Sequence, residues 1–150
     1  MYPEYLETEA SLDEFLAAFE QGTYPKEKWT HGAHVVMAAS YILTESAEGL
    51  IDRTRERIRN YNLCQGGQNT DDSGYHETLT VFWLGVIRQY LDASPKDRPR
   101  LHAVRDAFME FGRRSSLWRE YYGFNVIQSG EARRRWLAPD SGYFDSRWME

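Results

Sequence analysis

The sequence predicts an all-α fold: a single-domain, up-and-down helical bundle of about five main helices with an irregular C-terminal extension. Three observations predict it. Apolar residues recur at helical spacing in successive stretches. Capping residues and glycine or proline stops bracket those stretches. No alternating pattern runs far enough to build a sheet. A chain of 150 residues suits one domain spanning 1–150, of a size that buries roughly 70% of the surface exposed on unfolding.

Ser11-Leu12-Asp13-Glu14 has the spacing of a capping box, so a short first helix follows, with Phe15, Leu16 and Phe19 on one face and an end near Gly22. Thr30 is the cap expected for a second helix reaching about Ser46. Its body from Val35 to Leu43 is apolar on every side, which places it in the middle of the bundle. Ser46 is the cap expected for a third, peripheral helix to about Asn62, with Leu50, Ile51, Thr54, Ile58 and Tyr61 as its inner stripe. Asn62 to Gly74 is polar and aperiodic and reads as a long loop. A fourth helix is expected from Ser73 to about Asp92, again apolar nearly all round. After the break at Ala93 to Pro99, Leu101, Val104, Phe108 and Phe111 mark a fifth helix that Gly112 ends. The remainder holds short helical pieces near Ser116 to Tyr122 and Ser129 to Leu137, before the stop at Pro139.

Composition narrows the function classes. Eighteen basic residues against 23 acidic ones and a pI near 5.4 supply no overall positive field, so nucleic acid is not an expected partner. The longest apolar stretch, Ala33 to Leu43, is broken by His34 and Ser40. It falls short of the ~20 residues a membrane span needs. A single cysteine, Cys64, rules out an internal disulfide, and the absence of a leader-like start makes a reducing cytoplasm the expected setting. Cys64 itself is open to a role as a reactive thiol, but lacks a nucleophile motif. The oligomeric state stays open, a homodimer included.

The chemistry-bearing residues gather in two segments. If the helices alternate in direction, helices two and four are parallel and begin at the same end. That brings His31 and His34 beside Tyr75, His76 and Glu77. His31 and His34 share a helix face; with His76 they form an expected metal site for zinc, iron, manganese or copper. Glu77 is then a fourth ligand or, with His76, the catalytic acid/base pair, although neighbours on a helix point about 100° apart. Tyr75, Thr80 and Arg113 are the expected substrate contacts. Arg133-Arg134-Arg135 reads as a solvated helix face, with Arg113, Arg114 or Arg133 available to an anionic substrate. His102 reads as solvated, and Trp29, Trp83, Tyr121 and Tyr122 read first as core aromatics.

His31-x-x-His34, the segment Gly74-Tyr75-His76-Glu77-Thr78-Leu79-Thr80 and the tail from Ala132-Arg133 to Pro139-Asp140 carry a resemblance. Over about Trp29 to Asp140 the chain resembles a group of small bacterial proteins of uncharacterised activity. The resemblance implies that the histidine segments belong together as a signature, and implies no reaction. Three readings of the signature follow. The first is a metal-dependent enzyme acting on a small polar molecule. The second is a metal-free acid/base enzyme. The third is a small-molecule binding module with a histidine-lined pocket, and set against all three is a purely structural hydrogen-bond network.

Overall fold

Helix starts depart from the sequence expectation in three places, each for a local reason. The computed structural model describes residues 2–149. Helix α1 spans Glu9–Gln21. Thr8 is its cap, accepting from Ser11 N at 2.9 Å, while the Ser11 hydroxyl accepts from Thr8 N at 3.0 Å. Ser11 therefore closes the capping box from inside the first turn. Gly22, with φ 75°, ends the helix as expected.

Helix α2, His31–Thr44, is capped by Thr30, whose hydroxyl accepts from Ala33 N at 3.2 Å. Val35 through Ile42 are all buried, so α2 is the central helix. Helix α3, Leu50–Cys64, begins after Gly49 and not at Ser46. The Ser46 hydroxyl instead accepts from Glu48 N in the turn before it, and Arg53 and Arg57 hold Glu45 by ion pairs. Helix α4, Glu77–Asp92, begins four residues later than the Ser73 start. Gly74 at φ 83° interrupts the chain there, and His76 is the cap. Helix α5, Arg100–Phe111, pairs Arg100 with Glu9 and Asp13 of α1.

Contacts between helix ends fix the directions. His31 at the start of α2 bonds to the carbonyl of Phe111 at the end of α5. Gln65, just past α3, donates to the carbonyls of Gly22 and Tyr24 just past α1. The ends of α1, α3 and α5 thus share one end of the bundle with the starts of α2 and α4, the arrangement the alternating topology predicts. Gly32 lets α2 and α5 approach here, since a Cβ would come within 2.7 Å of the Phe108 ring. The described residues contain no strand.

The extension after Gly112 wraps α4. It carries a short 3-10 turn at Leu117–Glu120 and helix α6 at Gly130–Arg134, which Ser129 caps. The buried Thr78 hydroxyl clamps it, donating to Arg135 O at 2.8 Å and accepting from Leu137 N at 3.0 Å. Tyr122 adds a bond from its hydroxyl to Leu137 O.

Gly74 and Gly66 share φ 83°, but a Cβ at Gly74 would strike the Gln68 carbonyl, whereas one at Gly66 meets nothing. The left-handed backbone alone costs a non-glycine residue about 1–2 kcal/mol. Gly74→Ala is therefore expected to lower stability by about 2 kcal/mol or more, and Gly66→Ala by clearly less. Urea unfolding of the two variants measures the difference, and equal losses contradict this account of the loop.

Candidate functional site

A cavity of about 450 Å³ lies at the shared end of α2, α3 and α4. Asn62 near the end of α3 and Gly74 of the loop that follows stand at its edge, and Trp118 and Ile127 of the extension complete its wall. The lining is mainly apolar, with Trp29, Val35, Ile58, Leu79 and Trp83 among its faces. His31, His34, His76, Tyr75 and Thr80 all line it, so the structure brings together five of the residues singled out from sequence. Arg113 is exposed and outside it, and Glu77 also lies outside its lining. Cys64 is exposed at the end of α3, away from the lining, and His102 is exposed as expected.

Each histidine is oriented by a backbone carbonyl, and a carbonyl only accepts, so the bonded ring nitrogen carries the proton. His34 donates from Nδ1 to Thr30 O at 2.7 Å, one turn back, and its ring lies 4.0 Å from that of Trp29. His31 donates from Nε2 to Phe111 O at 3.0 Å, its ring 4.6 Å from Trp83. Nε2 of His34 and Nδ1 of His31 keep their lone pairs without a partner among the described residues. His76 differs. Its Nε2 donates to Val126 O at 2.9 Å, and its Nδ1 accepts the Leu79 amide at 3.1 Å as the cap of α4.

The donor set therefore does not fit the expected His31, His34 and His76 metal site. A metal ligand needs a bare ring nitrogen, and capping and the Val126 bond occupy both nitrogens of His76. Among the described residues no group of three or more His, Cys, Asp or Glu side chains is arranged to hold a metal ion. The expected pairing of His76 with Glu77 as acid and base is not formed either. Glu77 takes a two-point ion pair from Arg55 at 2.9 and 2.8 Å and accepts the Tyr75 hydroxyl at 2.6 Å. It sits in a separate polar recess behind the Tyr75 ring. Burial disfavours its charge, but the bonds from Arg55 and Tyr75 outweigh that and hold its carboxyl below the ordinary value. Tyr75, buried and bonded to that carboxylate, has its hydroxyl pKa pushed upward.

Electrostatics keep the imidazoles neutral. Burial lowers the pKa of His34 to about 4, with His31 nearby adding to the effect. Burial likewise lowers His31 and His76, the latter also through the charge of Arg133. His34 Nε2 is consequently an acceptor at neutral pH.

Thr54 is a cavity residue that the sequence reading placed only as part of a stripe. It is 1% exposed and lines the cavity, and its hydroxyl finds no partner among the described residues. The signal was present: Thr54 is the one aliphatic hydroxyl in the stripe of Leu50, Ile51, Ile58 and Tyr61, and the Tyr61 hydroxyl is taken by Tyr24 O. Trp29 and Trp83 face the cavity, whereas Tyr122 belongs to the buried core, packed near Phe82 together with Tyr121. Trp118 and Ile127 carried no sequence signal, because tertiary wrapping of the extension brings them there. Comparison with known proteins gives no relative: no family model, no curated protein and no solved structure matches the chain.

The three histidines have folded-state pKa values below the ordinary 6.5. As pH falls below 6.5 the unfolded chain takes up protons that the folded chain refuses, so stability is full above that value and declines toward pH 4. Carboxylates such as Glu77 and Glu45 add their own loss only below about 4.5. Thermal melting from pH 7 to pH 5 is expected to show a falling Tm, with a shallower fall in His34→Gln. Parallel profiles for the two proteins contradict the assignment.

Proposed function

We propose that this protein binds a small, largely apolar molecule carrying a hydrogen-bond donor, held in the cavity at the start of α2 and α4. The observation that carries this reading is the combination, in one largely apolar lining, of His34 on α2, its tautomer fixed by Thr30 O, with the orphan Thr54 hydroxyl on α3. A volume of about 450 Å³ falls within the range of small-molecule sites, roughly 300–1,000 Å³. Such sites use an apolar body for affinity and a few polar atoms for orientation. His34 and Thr54 are those atoms, and the tryptophans supply flat faces.

Magnitudes favour binding over proton abstraction. A general base works best with a pKa near the operating pH, and burial places His34 near 4. A neutral imidazole of that kind accepts a hydrogen bond and holds a donor in register. The metal-dependent reading has less support, because two free ring nitrogens from one turn of α2 leave most of a coordination sphere unfilled.

Indole and its oxygen analogue benzofuran have nearly the same shape, but only indole has an N–H. Calorimetric titration of the tag-free protein is expected to give saturable binding of indole and weaker binding of benzofuran, and Ala38→Phe, which fills the cavity wall, is expected to abolish both. Absence of binding by either probe, or retention of stoichiometric zinc, iron, manganese or copper through gel filtration, contradicts the reading. Thr54→Val replaces an unpartnered buried hydroxyl by a methyl of similar shape. It is expected to stabilise the unliganded protein by about 1 kcal/mol, a rise in Tm of about 2–4 °C. A lower Tm in that variant indicates that the hydroxyl is satisfied within the protein.

A further inference from the structure

Behind the Tyr75 ring lies a second concavity, a polar recess of about 350 Å³ between α3, the long loop and α6. Five arginines line it, Arg55, Arg59, Arg133, Arg134 and Arg135, against two carboxylates, Asp71 and Glu77. The chain as a whole carries a net charge of −5, so this is a local reversal of sign. Like charges drawn together from two separate segments, α3 and the end of α6, repel, and their convergence calls for an opposing charge.

Three of the five are already matched. Arg55 pairs with Glu77 and Asp52, Arg134 with Asp71, and Arg135 with Glu131. Arg59 and Arg133 have no carboxylate partner among the described residues. Arg133 is positioned from behind, donating through Nη1 to Gly74 O at 2.7 Å, which leaves most of its fork unoccupied. Arg59 lies over the Tyr75 ring at 5.9 Å and makes no hydrogen bond to a described residue through its guanidinium. Trp136 supplies an aromatic wall beside them.

We infer that this recess is a phosphate-binding site, with Arg59 and Arg133 as the groups that clasp the anion. Guanidinium forks match the oxygens of a phosphate two at a time, and five donors per arginine leave room for both the structural bond of Arg133 and the ligand. Arg55, Arg134 and Arg135 are neutralised by their own carboxylates, so the net positive charge of the recess rests on Arg59 and Arg133. The shared chemistry is the phosphate group, borne either by the free anion or by an ester whose organic part rests on Trp136. This site stands apart from the apolar cavity, which lies on the other side of Tyr75, and neither requires the other.

Calorimetric titration of the full chain at constant ionic strength, with inorganic phosphate and with phenyl phosphate, tests the assignment. Saturable binding at one site is expected. Arg59→Gln, which removes no internal hydrogen bond, is expected to weaken it by about tenfold or more, the loss of a charged hydrogen bond. Lys26→Gln removes one exposed positive charge elsewhere and is expected to leave the affinity nearly unchanged. Arg133→Gln is expected to act as Arg59→Gln does, but it also frees Gly74 O, so Arg59→Gln carries the test. Tighter binding of phenyl phosphate identifies an ester; equal binding identifies the free group; both uphold the site. No saturable binding to the wild-type chain, or equal losses in Arg59→Gln and Lys26→Gln, overturns it. Indole binding in the apolar cavity is unaffected by Arg59→Gln, so failure at one site is distinguishable from failure at the other.

Discussion

The imidazole of His76 joins two parts of the molecule that the chain separates by fifty residues. Nδ1 accepts the Leu79 amide and sets the first turn of α4, while Nε2 donates to Val126 O in the extension. Buried donors and acceptors at a helix start must be matched, and here one side chain matches both a helix amide and a distant carbonyl. The bond holds Val126 beside the start of α4, and Ile127, the next residue, lines the cavity. The same bond removes His76 from any coordination role. Thr78, two residues on, repeats the device with its bonds to Arg135 and Leu137.

With the extension fixed, the remaining polar groups at this end fall into two sets. Glu77, Arg55 and Tyr75 satisfy one another and face the polar recess. His34 and Thr54 face the apolar cavity and retain unmet capacity. Burying a hydroxyl without a partner costs about 1–3 kcal/mol. Tyr75 is the partition, its ring facing the cavity and its hydroxyl bonded to Glu77 in the recess.

The bundle was legible because its signals are local. Full burial of α2 follows from an apolar run with no polar face, and the expected cap at Thr30 and stop at Gly22 hold. The starts of α3 and α4 were misread because Ser46 and Ser73 do offer capping oxygens, but Glu48 claims the first and the φ of Gly74 interrupts the helix after the second. The convergence of His31, His34 and His76 was legible once the helices alternate in direction. Their chemistry was not, since it depends on which carbonyl each ring meets, and Phe111 and Val126 lie 80 and 50 residues away in the chain. Arg133 was legible as a group available to an anion, but its neighbour Arg59 was not, because only folding brings α3 beside α6.

The central claim is that the clustered histidines are neutral, hydrogen-bonded members of a ligand cavity. Nitrogen-15 spectra of the imidazoles in tag-free protein at pH 7 test it most directly. The account predicts a proton on Nδ1 of His34 with Nε2 bare, a proton on Nε2 of His76, and no movement of the His76 nitrogens when zinc is added. Protonation of both nitrogens of His34, or a coordination shift of His76 on zinc addition, would contradict it.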